Sequence, residues 1–185
     1  MIRNYTIICF ILAISALNLS FKSSYKSLFI DEFAPLAVKN SIEYGIPASI
    51  KLAQAIHESN WGTSDLAQKA NNYFGIKCKT EWTGLTYMHI DDDRDATGKL
   101  IPSCFRAYDH KIHSWQDHSK FLRYRKYYTQ LFKLRNDDYI GWAKGLKAAG
   151  YATDSQYDLK LIKIIEQYDL YKFDQSTFKE FYSKQ

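Results

Sequence analysis

The chain has 185 residues, 46% of them hydrophobic and 16% aromatic, which is enough apolar side chain for one packed domain with appendages and too much for a disordered chain. Its 25 Lys and Arg against 20 Asp and Glu give a formal charge of +5, scattered along the chain rather than gathered in blocks. No Arg-rich helix, zinc-finger spacing or aromatic RNA-binding motif accompanies that charge, so nucleic acid is excluded as the expected partner.

At the N-terminus Arg3 precedes an uncharged stretch, NYTIICFILAISALNLSF over residues 4–21, before the next charge at Lys22. A positive start and an apolar segment from Ile7 to Leu17 predict a secretory signal peptide over residues 1–21. No Ala-x-Ala precedes Ser20, so an uncleaved membrane anchor stays open beside it, although the segment is short for a span of about 20 residues. Export would deliver the chain to the periplasm, the cell envelope or the medium. Cys9 lies inside this segment, which leaves Cys78 and Cys104. In an exported protein these two are expected to pair, closing a loop of about 26 residues for about 3 kcal/mol, the alternative being two free buried thiols.

A Ser/Lys-rich link over residues 22–30 leads to the main domain, expected over 31–172, with a polar tail over 173–185. The stretch IDEFAPLAVKNSIEYG has helical spacing and stops at Gly45, and IPASIKLAQAIHESNWG restarts at Pro47 and is expected to end at Gly62 in the manner of a cap glycine. TSDLAQKANN reads as a short third helix capped by Thr63 or Ser64. The texture changes from Trp82 onward. Leu85, Tyr87 and His89 alternate, RDATGKL is a polar turn and IPSCFRAY is β-rich, which predicts a hairpin or small sheet. Helical spacing returns from Ile112 to Tyr128, Asp137 to Gly150 and Ser155 to Leu170. Helices, a small β insertion and helices again predict a two-lobed α+β domain with a cleft between the lobes.

On a helical wheel Leu52, Ala53, Ala55 and Ile56 gather on one side, while Glu58 projects with Lys51 and Gln54 on the other. Glu58 is therefore a solvated residue unless that polar face lines a cleft. The pair His57-Glu58 opens a zinc-protease pattern, but Trp61 stands where the second histidine is needed. His110 and His113 have only Asp109 and Asp117 nearby, so no metal site is expected. There is no Gly-x-Ser-x-Gly elbow, and neither remaining cysteine sits in an activating context. Asp91-Asp92-Asp93 is the densest negative charge, either a solvated turn or a functional cluster, without the glycine and distal glutamate of a calcium loop.

The ordered motifs AIHESNWG, NNYFGIK, DDD…CFRAYDH…SWQDHSKFL and AAGYATD…Y resemble the glucosaminidase domain of glycoside hydrolase family 73, which includes flagellar-type peptidoglycan hydrolases and autolysins. The resemblance covers Phe33 to Tyr171. It implies a lysozyme-like α+β fold, with a mainly helical lobe, a small β-hairpin lobe and a saccharide cleft between them. It implies hydrolysis of β-1,4 bonds after N-acetylglucosamine in peptidoglycan glycan strands, by a monomer that needs no metal or organic cofactor and meets the membrane only through its N-terminal segment. Glu58 falls on the family's general acid, and Trp61, Tyr73 and Phe74 are expected to supply an apolar wall that raises its pKa and stacks on sugar. Asn72 shares that saccharide-binding motif. The β-lobe acid maps onto Asp92, with Asp91, Asp93 and Glu81 as alternatives; many family members carry glutamate here. Its carboxyl should lie about 5–5.5 Å from Glu58 as a nucleophile or about 6.5–9.5 Å as a base for water, while the substrate's own acetamido group is a third route. Tyr151 matches the tyrosine thought to face the reacting sugar, and Asp154 and Tyr157 continue that motif, with Ser155 in place of a common proline. A lytic transglycosylase and a non-catalytic wall-binding domain are the alternatives.

Overall fold

The structure is a computed structural model that describes residues 24–175. The expected signal peptide or anchor and the tail beyond residue 175 lie outside the described residues. The chain divides into two compact units, residues 1–32 and 33–185. In the first, residues 24–32 are helical, where a linker was expected over 22–30. Ser27 Oγ lies 3.3 Å from Asp31 Oδ2 one turn away, a local pairing that short polar side chains make on a helix and that composition alone does not reveal. The element is helix α1, residues 24–44, and it ends as expected where Gly45 takes a φ of 71°.

The second unit is built on α2 (Ala48–Ser59). Pro47 cannot cap it through a side chain, and the far end of the chain does so instead. Asp174 accepts from Ser49 N at 2.8 Å and from Ser49 Oγ at 2.7 Å, placing a carboxylate on the positive end of the helix. The C-terminus corrects the expected cap. The helix stops at Ser59, and Asn60, Trp61 and Gly62 all take positive φ, of 47°, 61° and 75°. Asn tolerates this region through its short polar side chain, whereas Trp does not. Trp61 is held there by its N–H on Ile56 O at 3.0 Å and by an edge-on ring contact with Tyr168, centroids 4.8 Å apart. Ser64, one of the two expected caps, accepts from Ala67 N at 3.2 Å and starts α3 (Asp65–Ala70).

Around α2 lie α4 (Lys111–Tyr124), α5 (Tyr139–Ala148) and α6 (Tyr157–Gln167), with 3₁₀ turns at Lys126–Lys133 and Leu170–Phe173. Every residue of α2 from Ala48 to Ile56 is buried, and this overturns the polar face expected of Lys51 and Gln54. A wheel reports one covered side, whereas a helix enclosed by neighbours has none open. Ala48, Ala53 and Ala55 keep α2 slim enough for that close approach, and Trp115 and Trp142 fill the space on α4 and α5.

The hairpin pairs β1 (Thr86–Arg94) with β2 (Leu100–Arg106) antiparallel, from Thr86 opposite Arg106 to Ile90 opposite Pro102. Asp95 organises the turn by accepting from Thr97 N at 2.8 Å and Lys99 N at 3.1 Å, while Gly98 supplies the φ of 83°. On its other edge β2 meets Ile76 and Cys78: Arg106 N donates to Ile76 O at 2.9 Å and Cys78 N to Cys104 O at 2.8 Å. Cys78 and Cys104 are disulfide-bonded across this ladder, with Cα atoms 5.3 Å apart. Reduction, or the Cys78→Ser/Cys104→Ser double variant, is expected to lower unfolding free energy by about 3 kcal/mol. A chemical melt with and without reductant measures this, and coincident curves would refute it.

Candidate active site

Glu58 sits in the last turn of α2, half-buried, and Tyr157 Oη at the start of α6 donates to its Oε1 at 2.8 Å. Gln54 Nε2, one turn earlier, donates to the same tyrosine oxygen at 3.1 Å. Burial pushes the Glu58 carboxyl up to about 7 from 4.5, and the Tyr157 bond only partly opposes it. A carboxyl poised there can hold a proton at neutral pH and deliver it to a leaving oxygen.

Tyr151 reaches the site because α5 ends in a tight cap. Gly150 takes a φ of 74°, its N–H meets Lys147 O at 3.0 Å, and Tyr151 N meets Leu146 O at 3.0 Å. The Tyr151 ring stacks on Tyr157, with centroids 5.4 Å apart, and borders a cleft of about 510 Å³. That cleft is also lined by Phe74, Phe121 and Tyr128 and by the cations Lys77, Lys79 and Arg125. Burial raises both tyrosine hydroxyls well above their ordinary value, so they act as neutral hydrogen-bonding groups.

The acidic triplet is not a simple solvated turn. The register breaks between Ile90 and Arg94, so Asp91, Asp92 and Asp93 together oppose the single residue Ile101 between Leu100 and Pro102. Such a bulge frees side chains from strict alternation, and all three carboxylates reach Lys77 Nζ, at 3.1, 3.3 and 2.9 Å. Asp93 also accepts from Ser103 Oγ. The hydrogen bond from Lys77 holds the Asp92 carboxyl below its ordinary value, and the bonds from Ser103 and Lys77 do the same for Asp93. Burial alone would lower Lys77, but its bonds to Asp93, Asp91 and Asp92 prevail and raise it. Glu81 stands apart from this cluster, exposed and 3.5 Å from Arg125.

Other expected site residues turn out to serve the fold. Asn72 is buried; its Nδ2 donates to Arg106 O at 2.8 Å and Ile76 O at 3.1 Å, and its Oδ1 accepts from Ile76 N at 3.2 Å. Its amide therefore clamps the loop to β2, leaving little for a sugar. Tyr73 packs on Phe33, with centroids 5.0 Å apart, and Phe74, which lines the cleft, stacks on His118 at 3.9 Å. Asp154 accepts from Gln156 N at 2.9 Å and pairs with Lys160, so it caps the approach to α6. Asp117, weighed above as a metal ligand, is tied to Arg106 and Tyr108. Sequence reasoning missed Gln54, Lys51 and His118. The signal was present: Lys51, Gln54 and Glu58 recur at helical spacing as the polar stripe of an otherwise apolar helix.

The sequence model described as mannosyl-glycoprotein endo-beta-N-acetylglucosaminidase, Glucosaminidase, matches residues 34–170. The chain is similar to the exo-glucosaminidase LytG of Bacillus subtilis, 37% identical over 153 residues that cover 81% of this chain and 54% of the relative. It is 31% identical to the peptidoglycan hydrolase FlgJ of Pseudomonas aeruginosa over 78% of this chain and 37% of that one. The chain thus spans about half the length, or less, of these curated relatives. Among solved structures, the catalytic domain of the autolysin Auto from Listeria monocytogenes matches with a TM-score of 0.70 at 29% identity, covering 80% of this chain and 87% of that one. A peptidoglycan hydrolase mutant from Sphingomonas sp. A1 matches with a TM-score of 0.67 at 30% identity, covering 79% and 96%.

Proposed function

Because this chain belongs to the glucosaminidase family of glycoside hydrolases, we propose that it is an exported peptidoglycan hydrolase that cleaves β-1,4 bonds after N-acetylglucosamine. The observation that carries the reading is Glu58, a half-buried carboxyl raised to about 7 and held at 2.8 Å by Tyr157, whose ring stacks on the cleft-lining Tyr151. Glu58 protonates the departing oxygen, which an ordinary surface glutamate, ionised at neutral pH, cannot do.

The second acid comes from the bulged triplet. Lys77 holds Asp92 below its ordinary value while burial raises Glu58 to about 7, so near neutral pH Asp92 is an anion while a large share of Glu58 still carries its proton. That division suits a proton donor on one lobe and, on the other, an anion that activates water or orients the substrate's acetamido group. Tyr151 faces the sugar from the α5 cap. The substrate lies outside the cytoplasm, as does that of the cell-wall hydrolases this chain is similar to, and so the reading requires export.

Digestion of purified peptidoglycan tests it. Mass spectrometry of the products should show new reducing N-acetylglucosamine ends. Anhydro-muramic ends would identify a lytic transglycosylase, and no products a binding domain. Disaccharides released only from chain ends would make the action exo, as LytG is named. The rate should fall as pH rises through about 7, because Glu58 then loses the proton it must donate, and should fall again in acid as Asp92 is protonated. A profile flat from pH 6 to about 9 would remove Glu58 from the role of acid.

A further inference from the structure

Behind the cleft lies a buried polar chain to which the hydrolase reading assigns no role. Lys51 stands two turns before Glu58 on α2 and is fully buried. Its Nζ lies 2.6 Å from His118 Nδ1 and 3.1 Å from Trp115 O, and it faces the rings of Phe74 at 4.2 Å and Trp115 at 5.5 Å. Among the described residues Lys51 makes no ion pair with a carboxylate; Asp117, which acts on it only at longer range, is engaged by Arg106 and Tyr108. His118 is itself fully buried, stacked on Phe74 with the rings 3° from parallel. Its other nitrogen, Nε2, lies 2.9 Å from Tyr151 Oη.

The neighbours of Lys51 Nζ favour one direction for these bonds. A carbonyl oxygen and two aromatic faces are all electron-rich, so they form a cage for N–H donors. An ammonium has no lone pair and can only donate; a neutral amine, the form that burial favours, carries two N–H groups that suit Trp115 O and Nδ1, while its lone pair offers the reverse bond from an Nδ1–H, the alternative that the tautomer measurement decides. With Nδ1 accepting, the single proton of a neutral imidazole resides on Nε2 and donates to Tyr151 Oη. Tyr151 has then filled an acceptor site and keeps its own proton to donate, either to Tyr157, with which it shares a hydrogen bond, or into the cleft.

We propose that Lys51 and His118 are positioning residues: Lys51 fixes His118 as its Nε2–H tautomer, and His118 thereby makes the Tyr151 hydroxyl a hydrogen-bond donor at the edge of the cleft. Burial, which holds the imidazole well below its ordinary value and thus neutral, is consistent with this arrangement. The proposal rests on the hydrolase reading for its catalytic consequence but not for the tautomer itself. A mobile or inverted Tyr151 hydroxyl would present a lone pair in place of that donor.

Two measurements test it. Long-range ¹H–¹⁵N correlation spectra of the wild-type protein should show His118 protonated on Nε2 with an unprotonated Nδ1; the Nδ1–H tautomer overturns the proposal. In Lys51→Met, which keeps the length of the side chain without its donors, kcat on peptidoglycan should fall about tenfold with KM little changed. Tyr151→Phe should lose at least as much, and Lys51→Met should add little on top of it. A fully active Lys51→Met, or losses that multiply in the double variant, overturns the proposal. If Lys51→Met does not fold, the wild-type spectrum alone decides. A wild type without activity on peptidoglycan would instead refute the hydrolase reading and leave the tautomer still measurable.

Discussion

Glu58→Gln is expected to lower kcat on peptidoglycan by roughly 10³-fold while making the protein more stable above neutral pH. The first effect follows from losing a positioned general acid, since glutamine accepts the Tyr157 hydrogen bond at 2.8 Å but has no proton of suitable acidity to give. The second follows from the same burial. The folded state holds the carboxyl at about 7 against 4.5 unperturbed, so keeping it ionised in the folded protein costs up to about 3 kcal/mol. Below pH 4.5 both folded and unfolded chains hold the proton and the penalty is absent; it grows as pH rises through about 7 and is complete beyond that. The melting temperature of Glu58→Gln relative to wild type should therefore rise between pH 5 and pH 8, by several degrees for a domain of this size. An unchanged difference across that range would mean that water reaches the carboxyl and that its pKa is ordinary. Loss of activity together with a gain in stability would identify a site whose function is maintained against the fold's preference.

Asp117→Ala is expected to cost about 3 kcal/mol of unfolding free energy, measured as a shift in urea midpoint. Asp117 accepts two bonds from Arg106 Nη1, at 2.9 and 3.2 Å, and one from Tyr108 Oη at 2.6 Å, and so joins β2 and the segment after it to α4. The Arg106 side chain is only 9% exposed and sits over Trp82, 4.5 Å from the ring centroid, so truncation of Asp117 strands a guanidinium that has little access to water. Replacing both charges, as in Arg106→Met/Asp117→Leu, should recover much of the loss, because no buried charge is then unpaired. A single-variant cost under about 1 kcal/mol would show that Arg106 swings out to solvent. The pair also bears on the site: it anchors the hairpin that carries the acidic triplet, so Asp117→Ala should reduce activity even where the protein remains folded.

Much of this molecule is legible one segment at a time. The helix starts and stops at Gly45, Ser64 and Gly150, the polar Asp95–Gly98 turn and the alternation of β1 are local effects of backbone freedom, capping and side-chain period, and they stand in the structure as the residues imply. The ordered motifs identify the family and, with it, the helical lobe and the hairpin. The pairing of Cys78 with Cys104 followed from exclusion of Cys9 and the expected export.

What the local pattern does not carry is which surfaces become covered. Lys51 and Gln54 look solvated on a wheel because the wheel holds only α2, whereas their burial is imposed by α4, α5 and α6, far along the chain. The Glu58–Tyr157 bond joins residues 99 apart and Lys51–His118 residues 67 apart, so neither has a trace in spacing. Asn72 read as a sugar ligand because an exposed amide and a buried one have the same letter, and only the carbonyls of Ile76 and Arg106 around it show where its donors go. The triplet's composition marks it as acidic, but its convergence on Lys77 depends on a bulge that appears only when β1 is laid against β2. Sequence by itself determined the family and the order of elements and singled out Glu58 as the candidate acid. Tertiary packing decided the environment that raises the Glu58 carboxyl, because desolvation is set by every chain segment that closes around a group and not by its neighbours in sequence.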